Sequence, residues 1–166
     1  FTLIYRSNFY NEYQDLGRVD QVGEDIVFAK RDNQTLETSL EGKYSLTAKM
    51  NFGLKLRNYW SFSENNSYHK LLENGYVEDY VYTNNANQNL NLWNFDLSYS
   101  WWFAPGSQMS MLYRNSSAIF DNEIDKNLIY NNKRVFNNEQ LNHTFSISIR
   151  YFIDYNQAKN VFKSKV

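Results

Sequence analysis

Residues 93 to 104, WNFDLSYSWWFA, alternate so strictly that a single backbone conformation accounts for them. Trp93, Phe95, Leu97, Tyr99, Trp101 and Phe103 fall on one side, with Asn94, Asp96, Ser98 and Ser100 on the other. Successive strand side chains point to opposite faces, so a period of two means β-strand with one apolar and one wet face. Residues 141 to 155, LNHTFSISIRYFIDY, repeat the pattern. There Leu141, Phe145, Ile147, Ile149, Tyr151, Ile153 and Tyr155 oppose Asn142, Thr144, Ser146, Ser148, Arg150 and Asp154.

Length decides what this alternation is worth. Strands of soluble proteins run about 5 to 6 residues, whereas a strand crossing a bilayer at a tilt needs about 9 to 11. Ten steps separate Trp93 from Phe103, and at about 3.3 Å per step and a tilt near 40° they rise roughly 25 Å, the height of the apolar band of a transmembrane barrel. Mean hydropathy of −0.68 with 42% hydrophobic residues excludes a helical membrane protein, but not a barrel whose strands are half polar. The 18% aromatic content gathers near the ends of the alternating segments, where amphipathic rings favour the headgroup level.

Seven segments read as strands: 1–13, 24–31, 34–47, 50–63, 90–104, 107–117 and 139–155. Thr47-Ala48-Lys49 and Pro105-Gly106 are tight reversals, the latter with Pro and Gly where a type II turn wants them. Residues 64–89 and 118–138 are long polar connections, with a short strand possible in composition at Tyr76 to Thr83. Short turns alternating with long loops match the periplasmic and extracellular ends of an outer-membrane barrel. A hairpin at Arg31-Asp32-Asn33 is then expected on the extracellular side, and Asp15 to Val22 on the periplasmic side.

Single-chain bacterial barrels have even strand counts from 8 upward. The fold expected is therefore an all-β antiparallel transmembrane β-barrel, of which this chain supplies an arc of about 7 to 8 long strands over residues 1–155, followed by a polar tail over 156–166. The opening at Phe1, directly into FTLIYRSNFY, predicts a mature or truncated piece. Its partners are expected to be the outer-membrane bilayer of a Gram-negative bacterium, further strands upstream of Phe1 and an envelope protein complex. With 17 basic against 18 acidic side chains, no nucleic-acid partner is expected.

Three stretches resemble a known family: IVFAKRDNQTLETSLEGKYSLTAKMNFGLKLRNYWS from Ile26 to Ser61, FDLSYSWWFAPGSQMSMLYRN from Phe95 to Asn115, and SISIRYFIDY from Ser146 to Tyr155. They are similar to Gram-negative outer-membrane proteins of uncharacterised function, in which a carbohydrate-binding-module family 9-like domain precedes a C-terminal barrel. The resemblance implies that this chain is the barrel's C-terminal part, with the binding module upstream of Phe1.

On the polar side, Glu37, Glu41, Lys43, Lys55, Arg57, Asp96, Arg114, Arg150 and Asp154 are expected to face the lumen. Their mixed signs argue against a strongly ion-selective ring, and a salt-bridged lining is the plainer reading. Tyr59, Trp60, Trp93, Trp101, Phe103, Tyr151 and Tyr155 are expected at the membrane interfaces. His69, in a loop, and His143, on the apolar side of a strand, have no His partner at metal-binding spacing, so no metal is assigned to them. Asp121, Glu123 and Asp125 resemble the start of a calcium loop, but Lys126 and Asn132 stand where Gly and an acid belong. No nucleophile elbow is present, and neither an enzyme nor a cofactor is expected. The function expected is a barrel that passes a solute such as a glycan. The alternatives are an anchoring or assembly barrel without transport and, more remotely, a soluble β-barrel binding protein, since alternation alone does not separate inside from outside.

Overall fold

The computed structural model describes residues 1–137 and 141–153. Their frame is one antiparallel sheet of strands β1 (Thr2–Val22), β2 (Asp25–Thr47), β3 (Met50–Leu71), β4 (Val77–Asp79), β5 (Gln88–Ala104), β6 (Ser107–Asp121) and β7 (Asn142–Arg150). The order is β1-β2-β3-β5-β6-β7, with β4 clipped to the far end of β3. Among the described residues β1 and β7 do not pair, so the sheet is open.

The expected strands are present but their limits are redrawn. No hairpin forms at Arg31-Asp32-Asn33, and Asp15 to Val22 is no loop: β1 and β2 run through both stretches and turn at Gly23 and Glu24. The register slips between Glu12 and Asp15 of β1, where Gln14 takes φ 57. A bulge adds one residue to one strand and shifts the phase of alternation, which in sequence imitates the end of a strand. Gln14 is held there by its backbone N–H, which donates to Asp32 Oδ1 at 3.0 Å. The segments 24–31 and 34–47 are therefore one strand, and six long strands plus the short β4 replace the expected seven. β7 stops at Arg150, short of the expected 155, and Asp154 and Tyr155 lie outside the described residues.

Both long connections also carry more structure than their polarity suggests. β3 extends through 64–71, and within the second connection a helix, α1 (Leu128–Phe136), is capped by the Asn127 side chain, which accepts from Ile129 N and Tyr130 N. Val135 of α1 is fully buried. The Phe136 ring meets Trp93 edge-on at 4.9 Å between centroids.

At the opposite end lie the short turns. Gly106 has φ 71, as position i+2 of a type II turn requires. A Cβ there would approach Phe152 Cβ at 2.9 Å. Gly106→Ala is expected to destabilise by about 1–3 kcal/mol through the left-handed backbone and this contact together, read as a lowered urea midpoint.

The long-loop end is held by polar contacts. The Arg31 side chain pairs with Asp15 at 2.8 Å and lies over Gly17, where any Cβ would collide with the guanidinium. The Tyr82 hydroxyl donates to Asp20, and the Tyr82 ring packs on Tyr68. The Arg31 hydrogen bond holds the Asp15 carboxyl below its ordinary 3.8. Tyr82 does the same for Asp20, and the Gln14 N–H for Asp32. A carboxylate with a depressed folded pKa contributes its stability above the unfolded value and loses it as the pH falls through the folded one. Tyr82 is pushed above its ordinary 10.0 by donating to Asp20, so its contact is complete below that value and fades as the pH rises through the raised one. Amide protection in 12–34 and 77–83, taken relative to the intrinsic exchange rate at each pH, is therefore expected to fall below about pH 4, while the centre of β3 and β5 stays protected.

Candidate functional site

The register places every expected charge within the described residues on one face. Glu41, Lys55, Asp96 and Arg114 stand side by side on β2, β3, β5 and β6, a row of alternating sign. Lys55 Nζ meets Glu41 Oε1 at 2.8 Å. Arg114 clasps Asp96 bidentately, Nε at 2.6 Å and Nη2 at 2.9 Å. Forked guanidinium–carboxylate geometry is the strong form of this contact. Lys43 lies one row toward the short turns, opposite Gly53, and Arg150 lies opposite Gln108 at that end of the same face.

One row the other way, this polar face is concave. A hollow of about 580 Å³ is lined by Arg6, Asn8, Glu37, Arg57, Tyr59 and Asn94, among others. Arg6 and Arg57 share a row, flanking Ser39, and Asn94 stands beside Arg57. Neither arginine has an ion-pair partner within 4 Å among the described residues. Glu37 receives Asn8 Nδ2 at a long 3.5 Å. The side-chain oxygen of Asn94 is buried and accepts no hydrogen bond. Tyr59, expected at a membrane interface, stands on this charged face and lines the hollow, because it shares the parity of Lys55 and Arg57 along β3. Arg6 and Asn8 are additions to the expected set. The period of two in FTLIYRSNFY, which puts Arg6 with Thr2 and Asn8, is the signal that finds them.

The other face is an apolar band. Its rows are Met50, Trp101, Met109 and Ile149; then Tyr44, Phe52, Tyr99, Met111 and Ile147; then Leu3, Gly42, Leu54, Leu97, Tyr113 and Phe145; then Tyr5, Leu40, Leu56 and Phe95, ending in Asn115 and His143. No other described element packs on it: Tyr5, Phe145 and Ile149 are 65%, 63% and 66% exposed. Trp101, Phe103 and Tyr151 cluster at the short-turn edge, with Phe103 and Tyr151 stacked at 6.2 Å.

Beyond the band, the same face turns polar and buried. Asn58 Nδ2 donates to Asn91 Oδ1 at 2.9 Å, and Trp60 Nε1 to Asn89 Oδ1 at 3.0 Å. Trp93 Nε1 donates to Asn115 Oδ1 at 3.0 Å. Helix α1 covers this patch, anchored by Arg134 on Asp121. Trp60 and Trp93 thus sit at the border between band and helix.

His69 is in β3 rather than a loop, nearly buried, beside Asp79 at 3.1 Å and Ser67 at 3.0 Å. The Tyr113 hydroxyl bonds His143 Nδ1 at 2.8 Å. Among the described residues no three His, Cys, Asp or Glu side chains converge as a metal site would need. The Asp121 carboxylate is taken by Asn89, the Glu123 N–H and Arg134.

These features define a class of protein: an open, two-faced antiparallel sheet with a bare apolar band backed by a concave charged surface. The chain belongs to the family described as Domain of unknown function (DUF5916), which matches residues 1–162. No curated protein and no solved structure matches the chain.

Proposed function

We propose that this sheet is an arc of a transmembrane β-barrel in a Gram-negative outer membrane, and that its charged face lines a passage for a polar solute such as a glycan. The observation that carries the reading is the pairing of faces over one height. Four successive rows of apolar side chains stand uncovered on one side, while Glu41, Lys55, Asp96 and Arg114 stand behind them on the other. In water an apolar patch of many hundred Å² is a liability; in a bilayer it is the required surface. From Trp101 to Trp93 the band rises about 20 Å at a 40° tilt, and the Trp101, Phe103 and Tyr151 cluster adds the girdle below.

Strands of 21 to 23 residues in β1, β2 and β3 exceed this height. The surplus lies at the long-loop end, where α1 packs on the outer face of β5 and β6, as fits a wall continuing beyond the membrane on the extracellular side. The open edges of β1 and β7 need further strands, because unpaired backbone is not tolerated in hydrocarbon.

The test is reconstitution of the full-length protein in planar bilayers. Stepwise conductance, or uptake of neutral and charged sugars into proteoliposomes, is the expected result. A folded, inserted protein with neither would overturn the passage and leave an anchoring barrel.

A further inference from the structure

We infer that the hollow between β1, β2, β3 and β5 is a binding subsite for a polyhydroxylated solute that carries an oxyanion. The inference rests on the passage reading for how the solute arrives, but the binding chemistry stands by itself. Three observations carry it.

The first is the unused charge. In the neighbouring row each cation has its own anion, Lys55 with Glu41 and Arg114 with Asp96. Arg6 and Arg57, one row away, have none at pairing distance among the described residues, although both border the same hollow. Two guanidiniums flanking Ser39 from the strands on either side of β2 lie about two strand spacings, roughly 10 Å, apart at the backbone. Their long side chains can converge on a single carboxylate or phosphate, which the guanidinium fork matches in shape.

The second observation is the orphaned acceptor. The Asn94 side-chain oxygen is buried without a donor, and leaving such a group unpaired costs about 1–3 kcal/mol. A turn of the Asn94 amide toward the hollow would present it to a hydroxyl beside the oxyanion. The third is Tyr59, which lines the hollow on the same face as Arg57 and offers a ring on which the apolar C–H face of a sugar ring can lie.

Glu37 tempers the site. Its carboxylate stands next to Tyr59 in register and leaves the charged lining at two cations against one anion. That makes binding moderate and reversible, which a passage needs.

Calorimetry on the detergent-solubilised full-length protein tests this with three probes: glucuronate, glucose 6-phosphate and glucose. The two charged sugars are expected to bind at least tenfold more tightly than glucose, and their ratio tells carboxylate from phosphate preference. Arg6→Gln and Arg57→Gln are each expected to weaken the charged sugars about tenfold or more, the range for a lost charge-assisted hydrogen bond. Glu37→Gln is expected to strengthen them severalfold. Heat-modifiable migration on gels verifies that each variant is folded. Equal binding of all three probes, or arginine variants that stay folded and bind like the wild type, would overturn the subsite. Charged-sugar binding by a protein that conducts nothing supports the subsite and overturns only the passage.

Discussion

Leu97→Arg is expected to lower the stability of the folded, membrane-inserted protein by about 2–4 kcal/mol, whereas Ser98→Arg is expected to change it little. Leu97 sits in the third row of the apolar band, between Leu54 and Tyr113, about midway between the turn-end aromatics and the row of Trp93. In the proposed barrel a guanidinium there would have hydrocarbon on its outer side and neutral side chains on either flank. Ser98 is one residue away on the charged face, opposite Gly53, where water reaches it. Depth sets the size of the effect. Ile149→Arg, in the row of Trp101 and Met109 at the short-turn edge, is expected to cost only about 0–1 kcal/mol because the arginine can reach the headgroups. Urea unfolding of the full-length protein in lipid vesicles measures all three. A larger loss for Ser98→Arg than for Leu97→Arg would mean that the faces are assigned inside out.

Asn89→Leu is the second large effect expected, about 2–3 kcal/mol. Asn89 is 1% exposed and ties its strand to both neighbours: it accepts from Trp60 Nε1 at 3.0 Å and donates to Asp121 Oδ1 at 3.2 Å. Leucine fills a similar volume but offers neither bond. The buried Trp60 indole N–H is then left without an acceptor, at a cost of about 1–3 kcal/mol. Asp121 keeps Arg134 and the Glu123 N–H, so its share is smaller. Because Asp121 is also the anchor of α1, amide exchange in 128–136 is expected to quicken in the variant. Adding Trp60→Phe removes the orphaned donor and should recover part of the loss; two simply additive losses would rule out this account of the coupling.

How much of this was legible before the structure varies along the chain. Residues 93–104 were read correctly as a strand with Leu97 and Ser98 on opposite faces, because β5 is regular there and parity is all that assignment needs. The eight lumen candidates within the described residues share one face for the same reason. Parity fails at an irregularity: one extra residue near Gln14 made a continuous β1 look like a strand and a loop. Tyr59 was assigned by residue type, as an interface aromatic, whereas its position along β3 gives it the same face as Arg57. Helix α1 carries nine residues with Asn131, Asn132 and Lys133 at its centre, and such polarity gives no visible periodicity until Val135 and Phe136 are seen docked.

The amino-acid sequence by itself determined that regular strands occur and which face each of their residues takes, but not where β1 and β2 end, since a period of two is a local property of the backbone and needs no partner to be read. The tertiary structure alone decided which residues become neighbours across strands. Glu41, Lys55, Asp96 and Arg114 are up to 73 positions apart in the chain, and only the register, set by turn geometry and the packing of the apolar rows, aligns them. The same register leaves Arg6 and Arg57 beside a hollow with no ion-pair partner among the described residues. That is a matter of what each row lacks, which no single segment records.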